Sequence, residues 1–492
     1  MTSTFSGLEL GKRALMTQQK SLEVTGHNIS NANNEDYSRQ RAIQTATDPF
    51  PYPALNNSTG AGQVGTGVQV SKIERVRDEF VDKRFRNENQ ELGKWSIKKD
   101  NLQEIETIFN ELEKGGLVNT MNEFWSSFQE LNNNPESLSV RESVVQKSIT
   151  LTTQFNHFDK QLGTLRDNLG NEIEGRVQEF NALTDRIASL NSQIKIIESD
   201  TSKQANDLMD KRDKLLDDLS KLADVQYKKD NTNQVNVNLN GISIVQGKSQ
   251  NELNYSKQVN NITSTDGETY NNVEYYQFSV GGNRTQIDSG EIAGLKEVRG
   301  DYAVENGNAA GIMNYKINKL DHLARKLSSQ VNNIHQSGEG LNGTTGIDFF
   351  EFDPAPTAGN PGEGADLEVN QNIVDDPAQI AASNNGDAGD GSNALEIAQL
   401  KDKTSAIGSA TFSDYWETQS SNLGISIERA GRMETNQKVL TDNLTQQREE
   451  KSGVSLDEEM SKMVKFQHGY NAAAKVITTL DELYQTLTGI VR

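Results

Sequence analysis

Three glycines, Gly60, Gly62 and Gly65, have the GxGxxG spacing that cradles the phosphates of a bound dinucleotide. That chemistry needs a strand before the loop and a helix after it, so that the helix N-terminus meets the pyrophosphate. Here a loop rich in proline and asparagine precedes the glycines, and an extended segment follows them. The sequence therefore predicts a flexible turn at this position and no cofactor site.

One group of polar residues resembles a metal loop, namely Asp387, Asp390 and Asn393 in the stretch DAGDGSN. An EF-hand needs ligands at alternate positions and a closing glutamate at the twelfth, and this stretch has neither. A solvated turn is the main interpretation, and a weak divalent-cation site within 385–393 is left open. Adjacent carboxylates elsewhere, such as Glu458 and Glu459, are typical of solvated helix faces.

Other catalytic or metal-binding patterns are missing from the sequence. The chain has no cysteine, which excludes disulfides, thiolate zinc sites and thiol nucleophiles. None of the histidines shares a helical turn with another: His27, His157, His322, His335 and His468. No GxSxG nucleophile motif occurs either. We therefore expect no catalytic residues, no cofactor and no metal, and the protein is not expected to be an enzyme.

Length and composition favour an elongated protein with much exposed surface. The 492 residues allow two to four domains, yet only 34% are hydrophobic and 6% aromatic. The net charge of −21 argues against nucleic acid and anionic membranes as partners, because no basic patch is available to displace counterions from phosphates. No apolar run is long enough to span a bilayer, and the N-terminus lacks the apolar region of a cleavable signal.

Hydrophobic periodicity predicts a mainly α-helical protein with a small β-rich subdomain and a long helical bundle as its body. The predicted helices are Ser3–Ser30, Asp78–Glu113, Leu117–Leu131, Pro135–Leu169, Asn171–Glu198, Ser202–Ala223, Glu305–Gln336, Asn393–Asp402, Thr411–Lys451 and, after a break at Ser452-Gly453, Ser455–Arg492. Alternating apolar residues predict strands within 225–300, with turns at Asn240-Gly241 and Gly281-Gly282. Residues 35–47 and 63–77 are predicted to be extended, and 338–391 to be an acidic loop region.

An apolar stripe runs along the helix predicted near each terminus. The first contains residues seven apart, Leu8, Leu15, Leu22 and Ile29. The second contains Met463, Tyr470, Ile477, Tyr484 and Leu487, after a capping-box pair at Ser455 and Glu458. A single helix in water cannot bury such a stripe. One possibility is that the two terminal helices pair as a coiled coil, either within one chain or with other subunits. The other is that each helix packs separately on one globular core. Periodicity alone leaves both possibilities open.

Four segments carry a resemblance to a known protein family. They are HNISNANNEDYSRQR (27–41), GVQVSKIERVRDEFVDKRFR (67–86), GLNGTTGIDFF (340–350) and 452–491. Together they resemble the bacterial flagellar axial proteins, which include rod, hook and hook-associated proteins, and most closely those of the hook–filament junction. Three features narrow the resemblance from axial proteins in general to those of the hook–filament junction. They are the long helical region before the β segment, the Phe349-Phe350 pair and the stretch 389–400. Some relatives carry a sizeable extra domain after the two phenylalanines, where this chain has a short acidic loop rich in proline.

This resemblance implies that the terminal helices pair in the innermost layer of a tubular assembly and are disordered in the free subunit. The expected domains are 1–32 with 453–492 as a terminal coiled-coil assembly domain, and 33–452 as the central body, helical at 78–223, 305–336 and 411–451. The two apolar stripes are the expected assembly interface. Asn28, Asn31 and Asn33 match the family's asparagine-rich motif and are expected to close the first helix and shape the turn after it.

The same resemblance implies the partners and the location. The partners would be the hook protein, the other hook-associated junction protein, copies of this chain in a ring-like tubular layer, and an export chaperone on the C-terminal helix. The protein would be secreted to the extracellular flagellum by the flagellar export apparatus, without a cleaved signal. The alternatives are a hook or rod protein, with more β structure and less helix in 78–223, a secreted enzyme on an axial scaffold, and a cytoplasmic coiled-coil scaffold.

Overall fold

The computed structural model describes residues 6–48, 65–110, 116–200, 203–263, 269–300, 312–353 and 366–490. In these ranges the chain forms helices α1 (Ser6–Ser30), α2 (Glu79–Asn110), α3 (Leu117–Asn133), α4 (Leu138–Ile197), α5 (Asn206–Leu222), α6 (Glu291–Arg299), α7 (Ile312–His335), α8 (Gln371–Asp375), α9 (Ser392–Gln399), α10 (Phe412–Ser452) and α11 (Leu456–Ile490). The predicted fold class, mainly α with small sheets, is confirmed. The predicted turn at Gly60 and Gly62 lies outside the described residues.

The predicted helix break near Gly170 is wrong, because α4 runs without interruption for 60 residues. Glycine lowers helix propensity, which suggested a boundary. Its role here is steric: a Cβ at Gly170 would lie 2.9 Å from Oη of Tyr276 and 3.2 Å from Nε of Arg299. Glycine thus permits these two side chains to approach the helix closely.

All of the described strands pair antiparallel. They are β1 (Gln40–Ala46), β2 (Val68–Arg75), β3 (Val225–Lys229), β4 (Val235–Leu239), β5 (Ile242–Gln246), β6 (Ser249–Gln250), β7 (Leu253–Thr263), β8 (Thr269–Val280), β9 (Asn283–Thr285), β10 (Glu339–Gly340), β11 (Phe350–Asp353), β12 (Asp366–Val369) and β13 (Ala381–Ser383). They range from two-residue strands to the long strands β7 and β8. The sheets have the orders β1-β2, β3-β4-β5-β6, β7-β8-β9, β10-β13 and β11-β12.

Both predicted β-turns are confirmed. Asn240 and Gly241, with φ of 46° and 80°, connect β4 to β5, and Gly281 and Gly282, with φ of 56° and 82°, connect β8 to β9. Positive φ at both central residues is what a two-residue hairpin turn requires, and Asn and Gly adopt it at low cost. Such local turn chemistry is therefore readable from sequence.

The chain divides into two compact units. The first contains 1–89, 181–252 and 437–492, and the second contains 90–180 and 253–436. The four-stranded sheet β3–β6 lies in the first unit and the three-stranded sheet β7–β9 in the second. The stretch predicted to form strands therefore supplies one sheet to each unit. The prediction is wrong at the end of that stretch, where Glu291–Arg299 forms the buried helix α6.

The core of the second unit is aromatic and centres on the Phe349-Phe350 pair. Both side chains are buried, and they pack against α3, where the ring of Phe128 lies 5.3 Å from Phe349 and the ring of Phe124 lies 5.6 Å from Phe350. The Oδ1 atom of Asn332 accepts both backbone N–H groups of the pair, at 3.0 and 2.9 Å. The acidic stretch after α7 is thus anchored by buried rings and hydrogen bonds.

His335 is a fully buried histidine next to this aromatic core, and its two ring nitrogens bond to different segments. Nδ1 lies 2.9 Å from the carbonyl of Ile347, and Nε2 accepts the N–H of Ala381 at 2.9 Å. Only the neutral tautomer with a proton on Nδ1 satisfies both bonds. Burial lowers the pKa of His335 to about 4, although the Ile347 carbonyl raises it slightly.

We expect His335 to make folding sensitive to acid. In the unfolded chain it takes up a proton near pH 6.5, and in the folded chain only near pH 4, so its contribution is present above pH 6.5 and is lost as the pH falls to 4. The loss should reach about 3 kcal/mol. Urea unfolding of the wild type and His335→Gln at pH 7, 5.5 and 4.5 would measure it. Equal decreases with pH in both proteins would contradict this assignment.

The turn at 383–393 is held by hydrogen bonds around Asp390. Its carboxylate accepts the backbone N–H groups of Ser392 and Asn384, both at 3.0 Å, and the hydroxyls of Ser392 and Ser383. Partial burial raises the pKa of Asp390, but these bonds outweigh it and lower the value to about 2. In the described part of the chain, no three His, Asp or Glu side chains are grouped so as to hold a metal ion.

Candidate assembly site of the terminal helices

Helices α1 and α11 of one chain pack together antiparallel. A Cβ at Gly11 would lie 2.8 Å from Cγ1 of Ile477, and one at Gly7 would lie 3.1 Å from Cδ1 of Leu480. Towards the other end of the pair, Asn28 bonds directly to Glu459. Rising residue numbers on α1 therefore face falling numbers on α11. The structure thus shows the two termini paired along their length, as the fold class predicted.

The predicted interface residues lie along this pair. Side chains in the predicted set are half-buried: Leu8, Leu15, Leu22, Ile29, Met463, Tyr470, Ile477 and Tyr484. The side chain of Leu487 lies outside the described ones. Because the eight half-buried side chains are only partly covered within a single chain, part of each one stays accessible. Whether neighbouring subunits also contact them stays a prediction.

Sequence reasoning missed a second row of seam residues on α11, namely Phe466, Ala473 and Leu480. They are also seven apart and alternate with the predicted row by steps of three and four. Ala473 is 7% exposed, and Phe466 and Leu480 are half-buried. Two interleaved rows of this kind form the a/d seam of a coiled coil. The seven-residue spacing of Phe466, Ala473 and Leu480 could have revealed this second row from the sequence.

We expect Gly11→Leu to destabilise the helix pair by about 1–3 kcal/mol, because the added side chain overlaps Ile477. Gly26 in the same helix has no atom within 4 Å of a built Cβ. Gly26→Ala should therefore stabilise α1 by up to about 1 kcal/mol through its higher helix propensity. Thermal unfolding of both variants measures the difference. A lower melting temperature for Gly26→Ala than for Gly11→Leu would refute the assigned packing.

Asn28 is the polar centre of the pair and is 1% exposed. Its Nδ2 atom donates to Oε2 of Glu459 on α11 and to the carbonyl of Gln40, both at 2.9 Å. Its Oδ1 atom accepts the hydroxyl of Tyr37 at 2.7 Å and the N–H of Gln40 at 2.9 Å. All four hydrogen-bonding positions of the amide are thus used. Asn28 thereby joins α1, the loop after it and α11.

The other two predicted asparagines have different environments. Asn31 follows the end of α1, and its side chain donates to the carbonyl of His27 at 3.0 Å, which satisfies a helix-end acceptor. Asn33 is exposed. Tyr37 belongs to the Asn28 cluster: burial, together with the carboxylates of Asp207, Asp210 and Glu459, raises the pKa of Tyr37 above its usual range. The tyrosine hydroxyl therefore stays protonated and donates.

Helix α10 ends at Ser452 and α11 begins at Leu456, and we name the connection between them the elbow. Arg39 contacts both sides of this elbow. Its backbone N–H donates to the carbonyl of Ser452 at 2.8 Å, and its guanidinium donates to Oε2 of Glu458 at 3.0 Å. It thus contacts the last turn of α10 and the first turn of α11. A Cβ at Gly453 would overlap the carbonyl oxygen of Glu449, so the elbow also needs glycine there. These contacts set the direction in which α11 leaves α10.

Next to the elbow lies a network of buried and partly buried charges formed by four arginines and four aspartates: Arg75, Arg77, Arg86, Arg448, Asp82, Asp210, Asp213 and Asp217. Arg448 of α10 contacts Asp82 at 2.7 Å and Asp217 at 2.8 Å, and Arg86 of α2 contacts Asp217 at 2.6 Å. Burial raises the pKa of Asp213, but the charges of Arg77, Arg75 and Arg86 outweigh it and hold that pKa far below its usual range.

Known proteins match this chain over nearly its whole length. A family model described as the flagellar hook-associated protein FlgK helical domain matches residues 102–350. Flagellar hook-associated protein 1 of Bacillus subtilis strain 168 is 34% identical over 497 aligned residues, which cover 98% of this chain and 97% of that protein. The chain belongs to the flagellar hook-associated protein 1 family.

More distant relatives agree with this membership. Flagellar hook-associated protein 1 of Escherichia coli K12 is 22% identical, with 97% of this chain and 98% of that protein aligned. The alignment spans 565 positions, so part of that protein has no counterpart in this shorter chain. The solved structure of the flagellar hook junction protein FlgK from Burkholderia pseudomallei has a TM-score of 0.59, at 15% identity, and covers 75% of this chain and all of that one.

A second family model, described as the flagellar basal body rod FlgEFG protein C-terminal, matches residues 445–490. This segment contains the elbow, Glu459 and the seam face of α11. The part of the hook-associated chain that it shares with rod proteins is therefore the part that pairs with α1. None of the helices in the described ranges combines the length and apolar character of a membrane span.

Proposed function

We propose that this chain is a structural adaptor that joins the hook of the bacterial flagellum to its filament. The observation that carries the proposal is end-to-end similarity to flagellar hook-associated protein 1, with 97% of the Bacillus subtilis protein covered. The match to a helical hook-associated domain over 102–350 supports a junction protein over a hook or rod protein. A structural role fits the relatives, which are named as flagellar hook-associated proteins.

Assembly through the terminal helices is part of the proposal, and the exposed surface of α11 supports it. Apart from the seam with α1, this helix carries exposed apolar side chains: Leu456, Met460, Val464, Val476 and Leu483 are between 46% and 55% exposed. From 466 to 490 its only charged side chains are Lys475, Asp481 and Glu482. A solvated helix in a chain with 24% charged residues would carry more. Neighbouring subunits would cover these uncharged flanks.

The proposed partners follow from this role. They are the hook protein, the second hook-associated junction protein, and further copies of this chain in a ring-like tubular layer. An export chaperone would cover α11 before secretion through the flagellar export apparatus, since free α11 exposes its apolar flanks. The mature location would be the extracellular hook–filament junction.

Immunogold labelling of intact flagella with an antibody against this chain tests the role. Gold confined to the boundary between hook and filament is the expected result. Label along the hook or in the basal body would favour a hook or rod protein, and label only inside cells would favour a cytoplasmic scaffold. Loss of filaments on deleting the gene, restored by the wild-type chain, is the matching genetic result.

Amide hydrogen exchange on the purified monomer tests how the terminal helices behave before assembly. Faster exchange in 6–30 and 456–490 than in the second unit is expected, because α11 has exposed apolar side chains outside its seam with α1 and each helix stabilises the other. Protection of both ends at the level of α3 and α7 would mean that the pair is complete within one chain. Assembly through these helices would then be wrong.

A further inference from the structure

A groove of about 910 Å³ lies beside the elbow of the first unit, and we name it the elbow groove. Its walls are the asparagine-rich loop after α1, the C-terminal half of α5 and the elbow between α10 and α11. The inner face of α2 contributes Asp82, Phe85 and Asn89. Phe85 and Val454 supply apolar surface within this otherwise polar groove. It is large enough to receive an aromatic side chain with its neighbours.

The charges left over at the rim of the groove are acidic. Its arginines are paired internally: Arg77 and Arg448 with Asp82, and Arg39 with Glu458. The rim residues Glu449 and Glu450 are exposed, and neither has a cation within 4 Å among the described residues. An occupant with two positive charges would therefore match this rim.

The opposite side of α2 carries such a pattern. At 100° per residue, Phe80, Lys83 and Arg84 lie on the face of α2 turned away from Asp82 and Phe85. Phe80 is 68% exposed, which is unusual for a phenylalanine, and the guanidinium of Arg84 lies over its ring at 5.9 Å. Lys83 and Arg84 are exposed and have no carboxylate partner in the described part of the chain.

We propose that the Phe80–Lys83–Arg84 face of one copy docks into the elbow groove of a second copy. The ring of Phe80 would pack against Phe85 and Val454, and the two cations would meet Glu449 and Glu450. The Phe80–Lys83–Arg84 face and the elbow groove lie on opposite sides of α2. The contact between two copies is therefore head-to-tail, and it can repeat around a ring. This inference rests on the proposed junction role, and it names the contact between copies.

Disulfide trapping tests the contact, because the wild-type chain has no cysteine and so forms no disulfide of its own. The double variant Phe80→Cys/Val454→Cys, assembled on flagella and mildly oxidised, should yield a ladder of covalent multimers. Each single variant, and the control pair Phe80→Cys/His468→Cys, should yield none. Normal flagella from the double variant without any ladder would overturn the inference. The junction role would be unaffected, because the same cells still assemble filaments.

Charge reversal gives a second, independent test. Lys83→Glu/Arg84→Glu should reduce the number of cells with filaments at least tenfold, and adding Glu449→Lys/Glu450→Lys should restore it. The reversed residues are exposed and have no ion pair within the described ranges, so the melting temperature of the monomer should change little. Unchanged filament numbers in the reversed variant would refute the contact. Failure of the wild-type chain to restore filaments in the deletion strain would instead refute the junction role.

Discussion

Asn28→Ala is expected to lower the free energy of unfolding of the first unit by about 3–5 kcal/mol, although it removes only a small side chain. The substitution deletes four hydrogen bonds at once and leaves Tyr37, Gln40 and Glu459 without their buried partner. Glu459 is 1% exposed and, among the described residues, keeps only Lys462, at 2.7 Å, as a counter-charge. A buried polar group without a partner pays its desolvation without compensation.

Denaturant unfolding followed by circular dichroism measures this effect, and amide exchange locates it. We expect α11 to exchange faster in Asn28→Ala than in the wild type. Asn33→Ala is the matched control, because Asn33 belongs to the same motif but is exposed, so it should stay within about 0.5 kcal/mol of the wild type. Equal losses in both variants would mean that the motif acts through the conformation of its loop, and not through Asn28.

Arg86→Met is expected to cost about 3–5 kcal/mol, because it leaves Asp213 and Asp217 as buried carboxylates with fewer cations. The guanidinium of Arg86 lies 2.6 Å from Asp217 and 3.4 Å from Asp213, and it stacks over Tyr227 with 4.5 Å to the ring centroid. Methionine restores most of the volume but none of the charge. The variant therefore isolates the electrostatic contribution from the packing.

Arg84→Met is the control for this prediction, since Arg84 lies two residues away on the exposed face of α2 and has no ion pair among the described residues. Its stability should match that of the wild type within about 0.5 kcal/mol. Thermal unfolding of the two variants side by side gives the comparison. A stable Arg86→Met protein would show that the network contributes specificity and little stability.

The network also predicts a pH dependence with a definite sign. The pKa of Asp213 is depressed in the folded chain, so its contribution is present above the unfolded value near 4 and is lost as the pH falls further. Asp210 acts in the opposite direction, because burial raises its pKa more than Arg75 lowers it. The difference in stability between Arg86→Met and the wild type should therefore shrink below pH 4.

The sequence by itself determined most of the helices, the hairpin turns, the predicted apolar rows of the two terminal helices and the family. These features follow from residue spacing within one segment, and local backbone geometry imposes that spacing. The seven-residue rows on α1 and α11 are an example, since each row must lie on one side of its own helix. The Asn240-Gly241 turn is another, because asparagine and glycine adopt positive φ at lower cost than other residues.

Only the tertiary structure decided which side chains meet across long separations. Arg448 contacts Asp82 across 366 residues of sequence, and Asn28 contacts Glu459 across 431. The sequence interpretation of Glu459 as part of a solvated helix face is wrong, since this residue is 1% exposed, and a charged residue carries no local mark of its burial. The continuity of α4 through Gly170 was decided in the same way, since the reason for glycine lies in Tyr276 and Arg299. Charge pairing and close approach depend on the packing of segments, which no local spacing encodes.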